Sequence, residues 1–140
     1  MPQLTHEEIE ALLSEPEVGV LCTVDRHSRP EGSPVWFEGD ARELRVLVHR
    51  DSKKARNIRG NPHVSLTVDT RVAPYKGVVL RGTATLGGPD ATLRRRLAVR
   101  YLGETVAEGY LASTPQLDAE DALITIRVTS TFSWDYAKGF

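Results

Sequence analysis

The chain has 140 residues, of which 18 are Lys or Arg and 19 are Asp or Glu, so its formal net charge is −1 at pH 7. This length predicts one domain with a substantial hydrophobic core, and the charge balance argues against nucleic acid or an anionic membrane as a general partner. The single cysteine, Cys22, excludes a disulfide framework, and its apolar surroundings VGVLCTV predict a small buried side chain in a reducing setting.

The first predicted element is a short amphipathic helix. Thr5 and Glu8 have the spacing of a capping box, and Ile9, Leu12 and Leu13 fall on one helical face. The N-terminus has no basic start followed by an apolar stretch, and no apolar run approaches the ~20 residues that span a bilayer. We therefore expect a soluble, cytoplasmic protein.

Six stretches of the chain have strand character, because they are apolar and β-branched or alternate apolar with polar residues. The first two are predicted to form a hairpin around the turn-forming segment RHSRPEG, and Gly82 in the fifth is a candidate for a bulge or barrel corner. The six stretches are residues 18–25, 33–39, 42–50, 63–69, 76–86 and 122–136.

Two helices are predicted between these strands. In HRDSKKARNIRGNP, residues 49–62, Ser52 is the expected N-cap and Gly60 with Pro62 the expected stop. In GPDATLRRRLAVRYLG, Asp90 is the expected cap and Gly103 the end. The segment ETVAEGYLAST predicts a further helical turn or two. Helices at the start, after the third strand and before the last strands indicate a small closed or partly open β-barrel plugged by helices.

The lysines of the middle helix stand where helices usually carry carboxylates. Lys53 and Lys54 fall in its first turn, where the helix dipole presents partial positive charge. One interpretation makes Lys53, Lys54 and Arg56 a solvated face. The other places an anion such as a phosphate there, held by the free N–H groups and the lysines, with His49 and Arg50 at the same mouth.

These residues also carry a family resemblance. SPVWFEGD, LRVLVHRDSKKARNIRGNPHVSLTVD and YKGVVLRGTATL resemble the pyridoxamine-phosphate-oxidase-like, FMN-binding split β-barrels, and more closely their short actinobacterial deazaflavin (coenzyme F-420) branch. The similarity runs from about Val18 to Leu86. It implies a mainly β fold with helices, a six-stranded antiparallel Greek-key-like split barrel, and a single cofactor-binding domain over residues 1–140.

The resemblance also implies the cofactor site. The start of the lysine helix would hold the ribityl phosphate, chiefly through Lys54, and the second barrel strand would run beside the pyrimidine edge and the ring face. No protein nucleophile is expected, because the cofactor carries the chemistry. The implied cofactor-binding residues are Ser33, Pro34, Val35, Trp36, Phe37, Arg50, Ser52, Lys53, Lys54 and Arg56.

Proteins of this kind are usually homodimers with two sites at the interface, so Tyr75, Lys76 or Trp134 of a partner would complete each site. The sequence lacks the C-terminal extension, with its substrate-phosphate arginines, of the true pyridoxamine-phosphate oxidases. We therefore do not expect oxidation of vitamin B6. Arg94, Arg95, Arg96 and Arg100 are interpreted as a solvated helix face, or as lining for an anionic cofactor tail.

Three functional hypotheses follow. The leading one is an oxidoreductase that uses coenzyme F-420, or alternatively FMN, to transfer hydride to or from a small conjugated substrate. The second is a non-catalytic flavin, deazaflavin or haem binder, for which His49 and His63 are the candidate axial ligands. The third is a barrel whose lysine helix is only a surface. The four histidines show no metal-binding spacing.

Overall fold

One seven-stranded antiparallel sheet dominates the computed structural model, which describes residues 2–140. The strands are β1 (Gly19–Val24), β2 (Pro30–Val35), β3 (Glu38–Gly39), β4 (Glu43–His49), β5 (His63–Asp69), β6 (Lys76–Gly87) and β7 (Asp121–Asp135). The helices are α1 (His6–Ser14), α2 (Lys53–Gly60), α3 (Ala91–Leu102), α4 (Glu104–Ser113) and α5 (Leu117–Glu120), and a final 3-10 helix covers Tyr136–Lys138.

The two edges of this sheet come together, so the sheet curls into a split barrel. In space the strands run in the order β2-β1-β5-β6-β7-β4-β3, which places β2 and β3 at opposite edges. Only Trp36 and Phe37 separate these two strands along the chain. Because one residue spans at most ~3.6 Å of extended backbone, the end of β2 and the start of β3 lie no more than about 11 Å apart. The helix α2 contacts β1, β4 and β6 and therefore covers one end of the barrel.

The core lies inside this barrel and under α1. β1, β4 and β5 alternate strictly between buried and partly exposed residues, as the period-2 pattern predicts. Each large apolar side chain removed from water contributes roughly 1.5–3 kcal/mol. Among the side chains with at most 1% exposure are Leu12, Leu13, Leu21, Phe37, Leu44, Val46, Leu66, Val68, Leu80, Ile124 and Ile126.

The predicted helix caps are confirmed by their hydrogen bonds. The Thr5 hydroxyl accepts from the backbone N–H of Glu8, whose carboxylate accepts from the N–H of Thr5. Ser52 Oγ accepts from the N–H of Ala55 at 3.3 Å, and Asp90 Oδ1 caps α3. These side chains satisfy backbone donors that have no partner within their helices.

The bulge expected at Gly82 is present. The pairing of β6 with β7 shifts register between Arg81 and Gly82. A side chain on Gly82 would collide with the carbonyl oxygen of Arg127 on the neighbouring strand, so only glycine fits this close approach.

Some expectations need correction. The segment assigned to the first turn is too long: β2 already begins at Pro30, and the turn is closed by hydrogen bonds around Asp25.

Cys22 is partly exposed rather than buried, because it alternates with Leu21 and Thr23 and points out of the barrel. A single 15-residue strand, β7, ends the sheet, and three helices precede it.

The predicted fold class is confirmed. The chain forms a mainly antiparallel β structure with six long strands, plus the two-residue β3, and helices at its ends. Among residues 2–140, no helix combines the length and apolar character needed to cross a membrane.

Candidate functional site

A cleft of about 560 Å³ opens beside the start of α2, between the barrel and the helices α3 and α4. The volume lies within the range of small-molecule and cofactor sites, and the lining is mostly apolar with a few polar groups. The lining residues are Val18, Pro34, Val35, Trp36, Leu47, Val48, His49, Ser52, Lys54, Arg94, Leu97, Tyr110 and Asp121.

The cationic group of the cleft is Lys54. It is half-buried, and its amine has neither a hydrogen bond nor an ion pair with any of residues 2–140. Ser52, the N-cap of α2, lies in the same wall, so the amine stands beside the positive end of the helix dipole. No carboxylate occupies the first turn of α2 to offset this charge. The arrangement is suited to bind an anion.

Two aromatic residues, Trp36 and Tyr110, form part of the cleft wall, and Tyr101 packs behind Trp36. The ring of Trp36 stacks on Tyr101 with centroids 5.3 Å apart and an interplanar angle of 7°, and lies 5.7 Å from the ring of Tyr110. Tyr101 is fixed because its hydroxyl accepts from the N–H of Phe37 at 3.2 Å and donates to the carbonyl of Glu17 at 3.0 Å. The wall therefore presents a flat apolar surface of defined orientation.

Asp121 and His49 form the polar end of the cleft. They are directly paired across β4 and β7. Asp121 is 9% exposed, and its carboxylate has no hydrogen bond with any described residue. Burial raises the pKa of Asp121 above its ordinary value; Arg94 and His49 oppose this effect, while Asp118 and Glu120 reinforce it.

Arg94 holds the helical wall of the cleft in place. Its guanidinium donates to Asp118 Oδ1 at 2.8 Å and to the carbonyl and hydroxyl oxygens of Thr114, and it lies 5.5 Å from the centroid of the Tyr110 ring. Only 5% of this side chain is exposed, so the assignment of Arg94 to a solvated face is wrong. The sequence did indicate this position, because the spacing of Arg94 from Leu97 and Tyr101 places it on the buried side of α3.

Lys53 and Arg56 lie in a second cavity on the other side of α2. Lys53 forms an ion pair with Glu31 on β2, and Arg56 donates to the carbonyl of Asp51 at 2.7 Å. Around the turn that follows β1, Asp25 pairs with Arg29 at 2.9 Å. The cavity, of about 680 Å³, is lined by Val24, Asp25, Arg26, His27, Ser28, Arg29, Lys53, Arg56, Asn57, Gly60 and Asn61.

The ten predicted cofactor-binding residues are thus divided by the structure. Pro34, Val35, Trp36, Ser52 and Lys54 line the cleft together. Lys53 and Arg56 do not line it, nor do Ser33 within β2 and the exposed Arg50.

The prediction that the Phe37 side chain faces the cofactor needs correction. Its side chain is fully buried in the core, so it cannot face a molecule in the cleft. The residues that sequence reasoning missed as cleft residues are Val18, Leu47, Val48, Leu97, Tyr110 and Asp121, while Arg94 had been considered only as lining for a cofactor tail.

The two candidate axial histidines lie in different surroundings. His49 Nδ1 accepts from the N–H of Asp51 at 3.1 Å, and its Nε2 lies 3.1 Å from Glu120 Oε2, so both ring nitrogens are engaged. His63 is exposed and does not line the cleft. Within residues 2–140 there is also no cluster of three or more potential metal ligands.

The residues expected from a partner subunit lie together, away from the cleft. Lys76 pairs with Asp135 and Gly77 with Trp134 at one end of the β6–β7 ladder, and Tyr75 directly precedes β6. Phe132 and Tyr75 are about half exposed there, at 47% and 48%. This end of the sheet therefore carries an exposed aromatic surface.

Comparison with known proteins gives consistent matches. A family model described as pyridoxamine 5'-phosphate oxidase matches residues 5–135. A solved structure named F420 reductase is 30% identical, with a TM-score of 0.75 over 88% of this chain and 94% of that chain.

Two more distant structures share the fold. A conserved hypothetical protein from Mycobacterium tuberculosis is 21% identical with a TM-score of 0.76, covering 96% of this chain and 87% of that chain. The haem storage protein HutZ from Vibrio cholerae is 23% identical with a TM-score of 0.66, covering 90% and 92%.

Proposed function

Because this chain belongs to the pyridoxamine 5'-phosphate oxidase family, we propose that it is an oxidoreductase that binds a phosphorylated flavin-type cofactor in the cleft. Coenzyme F-420 is favoured over FMN, since a solved structure named F420 reductase is 30% identical to this chain. When bound, such a cofactor supplies hydride exchange with a small conjugated substrate. The observation that carries the proposal is the unpaired, half-buried Lys54 beside the N-terminus of α2.

The cleft fits such a cofactor in chemistry and in size. A tricyclic ring needs apolar walls and a flat surface, which Val35, Leu47 and Trp36 provide. A phosphate needs a cation and free N–H donors, which Lys54 and the first turn of α2 provide. The same lysine without an anion would be a partly buried charge with no compensating partner.

The chain's own residues bind and orient in this proposal. Lys54 neutralises the phosphate, and Ser52 keeps the first turn of α2 open towards it. Trp36, held by Tyr101, fixes the plane of the ring, while Arg94 holds the helical wall that keeps water out. Pro34 and Val35 present backbone groups along the ring edge. No protein nucleophile takes part.

Fluorescence titration with FMN and with coenzyme F-420, side by side, tests the proposal. We expect micromolar or tighter binding of the deazaflavin. Preferential binding of FMN would assign the chain to the FMN-dependent enzymes of this fold. If the protein binds neither FMN nor coenzyme F-420, Lys53 and Lys54 only form part of a solvated surface.

Two adjacent lysines provide a matched pair of variants for the titration. Lys54→Ala should weaken binding by roughly 1.5–3 kcal/mol, about 10- to 150-fold, because it removes a charge-assisted hydrogen bond. Lys53→Ala should leave the affinity nearly unchanged, because Lys53 is paired with Glu31 outside the cleft. Equal losses in both variants would contradict the phosphate assignment to Lys54.

Turnover separates the enzyme from a carrier protein. The loaded protein, reduced and then mixed with quinones and enones as acceptors, should be reoxidised faster than the free coenzyme. A complex that no acceptor reoxidises would instead identify a non-catalytic cofactor binder.

A homodimer is part of the proposal. Exposed aromatic residues at one end of β6–β7, including Tyr75 and Phe132, provide a surface on which a second copy would bring Tyr75, Lys76 and Trp134 to the partner's site. Light scattering should give the mass of two chains. The variant Phe132→Glu should give one chain and weaker cofactor binding; a monomeric wild-type protein with full affinity would contradict this arrangement.

A further inference from the structure

Asp121 is the one acidic side chain among the residues that line the cleft. It is 9% exposed, and no donor among residues 2–140 hydrogen-bonds to its carboxylate. An ionised carboxylate in such surroundings is costly unless donors or cations compensate it. The wall that carries Asp121 thus holds a polar group that the phosphate site does not explain.

The basic side chains near Asp121 make their hydrogen bonds to other groups. The terminal nitrogens of Arg94 on α3 donate to Asp118 and Thr114, while its buried Nε has no partner among residues 2–140, and His49 on β4 is bonded to Glu120. Lys54 on α2 lines the same cleft, but a bound phosphate would engage it.

The remaining charged neighbours are acidic. Asp118 and Glu120, both on α5, push Asp121 towards its neutral form. The remaining polar side chains of the lining are Ser52 before α2 and Tyr110 on α4, together with the indole N–H of Trp36.

A molecule that fills the cleft shifts the protonation equilibrium of Asp121 further towards the neutral form. Burial already raises the pKa of Asp121, the largest influence on it, while Arg94 and His49 only partly oppose the rise. A ring that occupies the cleft expels the remaining water, and desolvation always favours the neutral carboxyl.

Resting on the proposed function, we propose that Asp121 takes up a proton when a flavin-type cofactor fills the cleft, so that its carboxyl becomes a hydrogen-bond donor to an acceptor atom of the bound molecule. Solvent supplies the proton, and one O–H bond forms. The site then selects for an occupant with a carbonyl oxygen or ring nitrogen at this end of the cleft. Cofactor occupancy becomes coupled to protons as a result.

Calorimetric titration measures this proton directly. FMN and coenzyme F-420 are bound to the wild type and to Asp121→Asn in buffers of different ionisation enthalpy, from about pH 5 to about pH 8. The wild type should take up more protons than the variant, by up to about one, in the pH interval between the free and the cofactor-bound pKa of Asp121, and the excess should vanish outside it. Protons released by the cofactor phosphate cancel in this difference. Glu104→Gln, an exposed acid on α4, should behave as the wild type.

A second measurement needs no substitution. The carboxyl carbon of Asp121 is titrated by NMR in the free and in the cofactor-bound wild type, and its midpoint should rise on binding. Equal proton uptake by the wild type and Asp121→Asn, or an unchanged or lowered midpoint, would overturn the role of Asp121 while leaving cofactor binding intact. A wild type that binds neither cofactor would overturn the proposed function and this inference together.

Discussion

The two sides of α2 use the same kind of residue in different ways. Lys53 and Lys54 are adjacent in the chain and in the same helical turn. Lys53 reaches Glu31 on the edge of the sheet, in a cavity where acids pair with bases. Lys54 points into a mostly apolar cleft and has no partner among residues 2–140. The two lysines therefore differ in pairing, and of the two only Lys54 lines the cleft in which we propose a cofactor.

Two aspartates repeat this contrast. In the cavity, hydrogen bonds from the backbone of Arg29, and then the Arg29 guanidinium and the N–H of His27, lower the pKa of Asp25 to about 2. In the cleft, burial raises the pKa of Asp121. The Asp25 carboxylate in the cavity is hydrogen-bonded, whereas the Asp121 carboxylate in the cleft has no hydrogen-bond partner among residues 2–140.

The largest difference between the two regions should appear on loss of an arginine. Arg94 and Arg29 both lie within 3 Å of a carboxylate, at 2.8 and 2.9 Å, but their side chains are 5% and 69% exposed. Arg94→Met should lower the free energy of unfolding by roughly 1.5–3 kcal/mol, because buried hydrogen bonds to charged groups are lost. Arg29→Met should lower it by at most ~1 kcal/mol. Urea unfolding measures both, and similar losses would contradict the contrast.

Ser52 serves both sides of α2, so its loss should affect stability and binding together. Ser52→Ala removes the N-cap hydrogen bond to Ala55 and should cost about 1 kcal/mol of the free energy of unfolding. Cofactor affinity should fall as well, because the first turn frays at the phosphate site. Ser52→Asn keeps a capping side chain and should restore most of the stability. If Ser52→Ala weakens neither property, the helix start does not organise the cleft.

The two aspartates should change the pH dependence of stability in opposite directions. The folded-state pKa of Asp25 lies below its unfolded value of about 3.9, so its contribution is present above about pH 4 and is lost as the pH falls towards 2. Asp25→Asn should flatten the acid decline of Tm in this window.

For Asp121 the folded-state pKa is raised, so the folded state binds its proton more tightly. Stability from this group is present below about pH 4 and is lost as the pH rises through the folded pKa. Relative to the wild type, Asp121→Asn should therefore gain Tm from pH 4 towards neutrality. Melting curves of Asp25→Asn and Asp121→Asn across this pH range test both predictions. The same pH dependence of Tm in the two variants would contradict opposite environments for the two aspartates.

The smallest effect is expected from the ion pair of the cavity. Glu31→Gln releases Lys53 but leaves both side chains partly in water, so the free energy of unfolding should change by no more than ~0.5–1 kcal/mol. Cofactor affinity should stay unchanged in the titration. A clear loss of affinity would show that Lys53 also belongs to the binding site.

Much of the fold could be predicted because its signals are local. The capping pairs of α1, α2 and α3 and the alternation in β4 and β5 depend on residues close together in the chain. The bulge at Gly82 forms against the distant strand β7, but a glycine within a strand pattern was enough to predict it. The family resemblance stated from SPVWFEGD and the lysine helix is confirmed by the match over residues 5–135 and by the F420 reductase relative. The predicted extent of the turn before β2 and the predicted burial of Cys22 were wrong, because strand register decides both.

The sequence by itself thus determined most of the strands and helices, their order and the family, because periodicity, caps and turns act over short distances. Only the tertiary structure decided which lysine enters the cleft, that Phe37 lies in the core, and that Arg94 and Asp121 line the site. Those outcomes depend on how a curled sheet brings β2, β4, α3 and the start of β7 together. Burial and pairing at that junction are properties of contacts between residues up to 103 positions apart, from Val18 to Asp121, which no local pattern records.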